Sequence, residues 1–325
     1  MNVFKQAARE GFRAAGGIAW IRYRNRRGVR ILMYHRFSGP HARTALERQC
    51  AHLRDHYLPV SLGEAARFAS EARPAANRLA VTVDDGYRDF YTIAYPVFRQ
   101  YGIPVTVFLT TGFLDGQCWM WPDQVLWLFS NARVCQPEIS LNGHLIRFML
   151  DSPEAKRKAS NEVKSVAKRL PDIQRLHLLA SLPEALGVEL PSAIPRNYEP
   201  LRWDEVRELR RGGIEFGAHT VTHPILSKLS SPAEIRHEIE ASRRRIEAEL
   251  DEPVAHFCYP NGLFDDFEPL AADIVHRAGF EAAVTAEPGL NFAGTDRFRL
   301  RRIPVTPEQP DWLFERYTAG FRLNF

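Results

Sequence analysis

Short apolar segments recur along the chain, with amphipathic helical patterns between them. In 79–83, Leu79, Val81 and Val83 alternate with smaller or polar residues, which is typical of a β-strand. Seven such segments predict strands, at 31–35, 79–83, 104–109, 214–218, 255–259, 280–284 and 299–305. Because helical patterns separate most of them, the order of elements indicates an α/β fold with a parallel sheet.

The helices are predicted from apolar spacing and from start and stop residues. Leu46, Cys50, Leu53 and Tyr57 are spaced 4, 3 and 4 residues apart, as on one face of a helix. Ser231-Pro-Ala-Glu234 is typical of a capping box, with proline at the first helical position. The other helices predicted for the sheet are at 63–70, 87–101 and 203–211.

Residues 114 to about 199 interrupt the alternation. Asn142-Gly143 lies between two apolar runs and predicts a hairpin, and two polar helical stretches follow at 153–170 and 171–182. We predict that this segment is an inserted helical and hairpin subdomain that covers the site. Insertions after the strands of a barrel are where specificity usually varies.

The composition is that of an ordinary globular protein. Hydrophobic residues make up 45% and charged residues 25% of the 325 residues, a length that one α/β barrel commonly reaches. The four cysteines are scattered and include no C-x-x-C pair. This arrangement indicates neither a disulfide framework nor a zinc knuckle, and it favours a reducing compartment.

Basic residues are concentrated at the N-terminus. Residues 1–30 hold eight Lys or Arg and one acid, whereas the whole chain has a net charge of +4. No basic stripe runs through the remainder, which argues against nucleic-acid binding. The longest uncharged run, 14–21, is too short to span a bilayer, and arginines follow it, the wrong order for a secretory signal. We therefore predict a cytoplasmic protein with a leader at 1–30 and one barrel at 31–325.

The leader allows two interpretations. Its arginines and the aromatic residues Phe4, Phe12 and Trp20 suit peripheral contact with an anionic membrane, at the inner membrane face. A solvated helix that packs on the barrel is the alternative.

Two adjacent carboxylates follow the strand at 79–83. Asp84 and Asp85 precede Gly86, which can adopt backbone angles that other residues resist. Neighbouring carboxylates repel each other unless a cation or a shared proton relieves the repulsion. Taken alone, the segment fits a turn with solvated acids better than it fits a metal site.

A second polar pair follows the strand at 214–218. The i, i+4 spacing of His219 and His223 predicts that both face the same way on one helical turn, which suits binding of one divalent cation. Histidines at this spacing are also common as core or surface residues. Joined to Asp84-Asp85, they form a His, His, carboxylate set, which is typical of a catalytic zinc-type site with an open position.

These motifs resemble those of the polysaccharide deacetylases with a NodB-homology domain, carbohydrate esterase family 4. Residues 82–86 are similar to the family's Thr-Phe-Asp-Asp-Gly motif, and 219–223 to its His-Ser/Thr-x-x-His motif. The resemblance covers roughly residues 30 to 305, apart from the insertion. It implies a distorted (β/α)7 barrel of the NodB-homology type, similar to a TIM barrel.

The resemblance also implies roles for the motif residues. Asp84 is implied to be the general base, and Asp85, His219 and His223 are implied to bind one divalent metal ion. Zinc is the first choice for this mixed set of ligands, and cobalt, nickel and iron are compatible with it.

The third motif, Phe257-Cys-Tyr-Pro-Asn-Gly262, is less similar to the family pattern. The resemblance implies that the Tyr259 backbone N–H helps to bind the tetrahedral oxyanion. The arginine that usually supports the base is missing here. Arg301 or Arg302 on the last strand is a candidate to replace it, and a surface salt bridge is the alternative for both.

The family's usual catalytic acid is a histidine on its last strand, but no histidine follows His276 in this chain. A circularly permuted branch of the family begins with a strand like Met33-Tyr34-His35, which moves the last strand to the front. Resemblance to this branch implies that His35 is the catalytic acid, and a structural histidine is the alternative.

Residues and resemblance together predict a metal-dependent hydrolase of N-acetyl groups on amino sugars. The substrate would be an N-acetylated polysaccharide, other glycan or glycolipid of cell-surface or exopolysaccharide biosynthesis. Trp121 and Asp123, at the head of the insertion, are candidates to line the sugar site, although Trp121 also fits a core position. Two other functions stay open: hydrolysis of small cyclic amides or ureides on the same fold, and a carbohydrate-binding or assembly protein without catalysis.

Overall fold

Seven parallel strands close into a barrel. The structure is a computed structural model that describes residues 11–13, 15–70, 76–141 and 143–321. Its strands in chain order are β1 (Arg30–Tyr34), β2 (Leu58–Pro59), β3 (Arg78–Val83), β4 (Val105–Leu109), β5 (Glu138–Leu141), β6 (His144–Arg147), β7 (Glu215–Ala218), β8 (His256–Cys258), β9 (Ala282–Pro288) and β10 (Leu300–Pro304).

The barrel follows the order β1-β10-β9-β8-β7-β4-β3, and parallel pairing of β1 with β3 closes it. Strand β2 adds two residues beside the start of β3, and β5 and β6 form a separate antiparallel hairpin. The prediction of a (β/α)7 barrel is confirmed, and each of the seven predicted barrel strands corresponds to an observed strand.

Helices surround the barrel and form the insertion. They are α1 (Gly17–Arg24), α2 (Ala42–His56), α3 (Leu62–Ser70), α4 (Tyr95–Gln100), α5 (Thr111–Leu114), α6 (Trp121–Ser130), α7 (Pro153–Ala167), α8 (Asp172–Leu186), α9 (Trp203–Arg211), α10 (Pro232–Leu250), α11 (Pro269–Arg277) and α12 (Asp311–Thr318). All residues of β1 and β4 are buried, as expected for strands with helices on one side and the barrel core on the other.

The segment 87–101 differs from the single helix predicted for it. It contains a π-helical turn at Phe90–Ala94, and α4 follows. Pro96 has no N–H, so the regular hydrogen-bond pattern is interrupted at this point and a wider turn replaces it.

The inserted segment has an apolar core of its own. Strands β5 and β6 form the predicted hairpin, and Asn142 of the predicted Asn-Gly turn lies outside the described residues. Apolar side chains from α6, α7, α8 and the hairpin pack into one cluster that is separate from the barrel core. Trp121 belongs to this cluster and is 5% exposed.

The barrel begins one residue earlier than predicted. Arg30, counted above with the leader, is the first residue of β1 and is fully buried, with its Nε donating to the Thr318 carbonyl (2.6 Å). Phe4 lies outside the described residues. No helix among the residues that the structure describes combines the length and the apolarity needed to cross a membrane.

Candidate active site

The predicted site residues follow neighbouring strands at one end of the barrel. Asp84 and Asp85 come directly after β3, and His219 comes directly after β7, with β4 between these strands. His35 follows β1, on the other side of β3. Because the strands are parallel, their carboxyl ends all lie at this end of the barrel, where barrel enzymes hold their catalytic residues.

Asp85, His219 and His223 form a compact buried cluster. The Nε2 atoms of His219 and His223 lie 3.5 Å and 3.4 Å from Asp85 Oδ1. One ligand atom from each residue lies within 4.8 Å of the others. Asp85 is in the left-handed region, with φ 75°, so its carboxylate turns away from the line of β3 toward the histidines.

The histidines do not lie on a helical turn, and this prediction is wrong. Thr220 and His223 have left-handed φ values of 67° and 59°, so residues 219–223 form an irregular loop. The N–H groups of Val221 and Thr222 donate to the Glu238 carboxylate at 2.7 and 2.9 Å. The loop still brings both imidazoles to Asp85.

Glu238 is a site residue that sequence reasoning missed. It also accepts from the Thr222 hydroxyl at 2.7 Å, and its side chain is buried. Its position carried a signal, because Glu238 lies on the buried face of α10 between Ile235 and Ile239. A buried carboxylate within an apolar stripe requires polar partners, and the loop at residues 219–223 supplies them.

The donor atoms fit a divalent cation. His219 Nδ1 lies 2.7 Å from the Cys258 carbonyl, which holds the proton on Nδ1 and leaves the Nε2 lone pair toward Asp85. Burial lowers the pKa of His223 to about 3, so its imidazole is neutral, as a metal ligand must be. Asp85 Oδ1 is buried, and no described residue donates a hydrogen bond to it.

Asp84 is held by a buried arginine on the last strand. Arg302 Nη1 and Nη2 each lie 2.7 Å from one carboxylate oxygen of Asp84, and the two side chains are 1% and 2% exposed. Of the two candidates for the missing arginine, Arg302 makes this contact, whereas Arg301 contacts the Pro288 carbonyl at 3.5 Å. Burial by itself would raise the pKa of Asp84, but the Arg302 guanidinium holds this pKa below its usual value.

This pair predicts a large cost for removing Arg302. In Arg302→Met, Asp84 would keep a buried charge without its partner, and we expect the free energy of unfolding to fall by about 3–5 kcal/mol. Urea denaturation at neutral pH measures this change. Adding Asp84→Asn should recover part of the loss, because the unpaired charge is then removed as well.

Arg301→Met is the matched control for Arg302→Met. Arg301 is the adjacent residue and has no carboxylate partner among the described side chains. The free energy of unfolding of the Arg301→Met protein should therefore differ from that of the wild type by no more than about 1 kcal/mol. Equal losses in the two variants would contradict a special role of the Arg302–Asp84 pair.

His35 lies on the accessible side of Asp84. Its Nε2 is 3.7 Å from Asp84 Oδ2, and 45% of its side chain is exposed. His256 is buried beside a different carboxylate, with Nδ1 2.7 Å from Glu215, but it begins β8 and therefore lies at the opposite end of the barrel. His35 therefore lies at the same end of the barrel as Asp84 and outside the cluster of Asp85, His219 and His223.

The Tyr259 backbone N–H differs from its predicted role. It donates to the Val284 carbonyl at 3.2 Å, a contact between adjacent strands, so in this structure it is not available to an oxyanion. Two residues later, Asn261 has a left-handed φ of 56°, and its side-chain Nδ2 is buried without an acceptor among the described residues. The Tyr259 ring stacks on Phe267 with centroids 3.9 Å apart.

Trp121 and Asp123 have different surroundings. Trp121 packs in the core of the insertion with Arg175 over its ring (5.5 Å), which matches the core alternative considered above. Asp123 lies at the barrel rim, where the Tyr87 hydroxyl donates to it at 2.5 Å and Arg36 Nη1 is 3.7 Å away. Burial, reinforced by the charge of Asp85, raises the pKa of Asp123 to about 6.

The chain is similar in sequence to known proteins. The sequence model of the polysaccharide deacetylase family matches residues 71–283. The chain is 21% identical over 310 residues to YxkH of Bacillus subtilis (strain 168), which is named as a polysaccharide deacetylase, and the match covers 94% of this chain and 81% of YxkH.

Two solved structures share the fold. IcaB from Ammonifex degensii has a TM-score of 0.58 and 18% identity, with 90% of this chain and 97% of IcaB covered. The Streptococcus pyogenes deacetylase PplD, solved in complex with acetate, has a TM-score of 0.56 and 19% identity, with 86% of this chain and 93% of PplD covered.

The family match includes Asp84, Asp85, His219 and His223, and it leaves His35 and Arg302 outside. It therefore does not bear on the permuted strand order, which stays a prediction. The match spans well over half of the chain and includes the barrel strands β3, β4, β7 and β8 and the cluster of Asp85, His219 and His223. The chain belongs to the polysaccharide deacetylase family.

Proposed function

We propose that this protein is a metal-dependent deacetylase that hydrolyses the N-acetyl amide of an amino sugar. The observation that carries the proposal is the arrangement of Asp84: a buried arginine holds it ionised, and the three ligand residues and His35 lie beside it. The substrate proposed is a polysaccharide, other glycan or glycolipid of cell-surface or exopolysaccharide biosynthesis.

The residues divide the work of amide hydrolysis. Asp84, kept ionised by Arg302, takes a proton from water as the water attacks the acetyl carbonyl. Asp85, His219 and His223 would hold one divalent cation, zinc by preference, which when bound polarises the carbonyl and lowers the pKa of the attacking water. His35 then gives a proton to the leaving amine from the solvent-exposed side of Asp84.

The sugar would bind between the barrel edge and the insertion. Asp123 is the residue we propose for hydrogen bonding to sugar hydroxyls, because it is 15% exposed at the rim and is oriented by Tyr87 and Arg36. The ring of Tyr198, over which Arg36 also lies (5.5 Å), is partly exposed at the same place. Trp121, in the core of the insertion, would support Asp123 from behind rather than contact sugar.

The permuted order is part of the proposal. Strand β1, which ends at His35, pairs with the last strand β10 on one side and with β3, the strand that precedes Asp84, on the other. If the family's last strand were moved to the start of the chain, it would occupy this position between the final strand and the strand before Asp84. Arg302 on β10 and His35 after β1 then reach Asp84 from neighbouring strands.

The deciding experiment is a deacetylase assay on a panel of N-acetylated sugars and oligosaccharides, with metal content measured on the same sample. Release of acetate by the metal-loaded protein supports the proposal. Activity confined to small cyclic amides or ureides would contradict it in favour of the related amidohydrolases. Sugar binding without acetate release would indicate a protein that has lost catalysis.

We also propose that the basic leader contacts anionic membranes, which would place a cytoplasmic enzyme at the inner membrane face. In α1 the aromatic side chains of Trp20 and Tyr23 are 58% and 63% exposed, and Phe12 before it is 45% exposed. Arg24 lies over the Trp20 ring at 5.1 Å, so charge and apolar area occur together. Such pairs suit the lipid headgroup region.

Changing Arg24, Arg26 and Arg27 to Gln should weaken binding to anionic liposomes about 10²-fold at low salt, since each arginine contributes roughly 1 kcal/mol. Flotation with phosphatidylserine vesicles measures the bound fraction. The matched control changes Arg43, Arg48 and Arg54, which are exposed on α2, to Gln. Equal effects of the two triple variants would contradict a specific role of the leader.

A further inference from the structure

The side chain of His35, the proposed acid, is not held by a hydrogen bond from any described residue. The His35 imidazole is half exposed, and no described residue forms a hydrogen bond with it; its nearest charged neighbour is Asp84, at 3.7 Å. A general acid must nevertheless be held within hydrogen-bond reach of the leaving group. The position of His35 therefore depends on the residues on either side of it.

The N-terminal side is fixed by β1. Tyr34 is fully buried, and its hydroxyl donates to Gln49 at 2.8 Å. The Tyr34 carbonyl accepts from the Asp84 N–H at 2.9 Å, so the chain before His35 is tied to the base itself.

The C-terminal side is fixed by Asp89. Its Oδ2 accepts from Arg36 Nε at 2.9 Å and from the Phe37 N–H at 3.0 Å, so one oxygen holds the two residues that follow His35. Asp89 lies just before the π-helical turn and is mostly buried, with 12% of its side chain exposed. Phe37 is fully buried against Tyr34, with ring centroids 5.6 Å apart.

Arg36 extends this anchor to the insertion. Its guanidinium lies over the Tyr87 ring at 4.1 Å, donates to the Asn197 carbonyl and approaches Asp123. Arg36 thus contacts Tyr87 after β3 and also Asn197 and Asp123 of the insertion. Without Asp89, Arg36 would lose the hydrogen bond from its Nε, the guanidinium nitrogen nearest to its own backbone.

We infer that Asp89 is a positioning residue for the proposed acid: its bonds to Arg36 and to the Phe37 N–H hold His35 over Asp84. The inference rests on the function proposed above. Asp89 contacts no reacting atom in this arrangement, and its effect on catalysis passes through His35. A misplacement of about 1 Å can cost about 10²-fold in rate.

The test compares two substrates that differ in their need for an acid. An N-acetylglucosamine oligosaccharide loses an amine, which must be protonated, whereas 4-nitrophenyl acetate loses a phenolate, which departs without a proton. Asp89→Ala should lower kcat for the amide about 10²-fold and kcat for the ester less than about 3-fold. Asp89→Asn, which can still accept from the Phe37 N–H, should lose less and provides a second variant if Asp89→Ala folds poorly.

Glu205→Ala is the matched control. Glu205 is a buried acid that likewise accepts from an arginine Nε, that of Arg88 (2.9 Å), and from a backbone N–H, that of Arg202 (3.0 Å). It does not contact the His35 segment. Its loss should lower the two rates by the same factor, as a purely structural defect would.

His35→Ala and the double variant separate the outcomes. His35→Ala should show the same selective loss on the amide, and adding Asp89→Ala should lower the rate no further. Parallel loss on both substrates in Asp89→Ala, with selective loss in His35→Ala, would overturn the inference and leave the proposed function intact. A wild-type protein without amide activity, or His35→Ala without selectivity, would overturn the proposed role of His35 and the inference with it.

Discussion

His219→Ala should purify without a stoichiometric cation and lose deacetylase activity by more than about 10²-fold. The reason is the small number of ligands: His219, His223 and Asp85 supply one atom each, all within 4.8 Å, so removing one leaves two. Changing only an outer partner of a metal ligand typically costs 10- to 100-fold in affinity or activity, and a ligand itself should cost more. Elemental analysis after desalting measures the metal retained per chain.

A binding measurement without catalysis completes this test. Added zinc should stabilise the metal-free wild-type protein against unfolding, by about 2.7 kcal/mol at a free concentration 100 times the Kd. His219→Ala should gain almost nothing at the same concentration.

His256→Ala is the matched control for His219→Ala. It also removes a buried histidine beside a carboxylate, Glu215 at 2.7 Å, but at the opposite end of the barrel. It should therefore retain the cation. Full metal content in His219→Ala, or equal loss in the two variants, would contradict the site.

The strands were predictable because each carries its own apolar pattern. In 79–83 and 104–109 the β-branched and aromatic residues indicate buried strands, and β3 and β4 lie there. Because helices alternate with the strands, the strands run parallel and their carboxyl ends lie at the same end of the barrel. Hence the sequence alone was enough to expect that Asp84, Asp85 and His219 meet.

The choice between Arg301 and Arg302 was not predictable. Adjacent residues of a strand point to opposite faces, and two arginines in succession do not show which one faces the barrel interior. The register of β10 against β1 and β9 decides this, and it rests on contacts far apart in sequence. In the resulting register Arg302 is 1% exposed and Arg301 is half-buried.

The conformation of the His219–His223 loop was missed for a similar reason. The i, i+4 spacing fits a helical turn, but the loop is shaped by Glu238 on α10 and by the segment after β4. The Gly112 N–H donates to the Val221 carbonyl at 2.8 Å, and a Cβ at residue 112 would lie 2.6 Å from that oxygen. These partners lie far from the motif in sequence, so local spacing alone indicates the wrong backbone, although the observed loop still brings both imidazoles to Asp85.

His35→Ala should keep its fold and its cation and lose about 10²- to 10⁴-fold in kcat on an N-acetyl sugar, the usual effect of removing a general acid. His35 is the histidine at the barrel edge that approaches Asp84, at 3.7 Å, and half of its side chain faces solvent, where substrate would enter. His219 and His223, the proposed metal ligands, lie beside Asp85 instead. Steady-state kinetics, with metal content and thermal unfolding measured on the same sample, check the three parts of this prediction.

His41→Ala is the control for position rather than chemistry. His41 is exposed in the same connection between β1 and α2, six residues beyond His35, and it should keep the wild-type rate. If His35→Ala also deacetylates an N-acetyl sugar at the wild-type rate, the permuted assignment of the acid is wrong. The proton would then have to come from another rim group. Asp123 would be the first to test, because its raised pKa, about 6, keeps a fraction of it protonated near neutral pH.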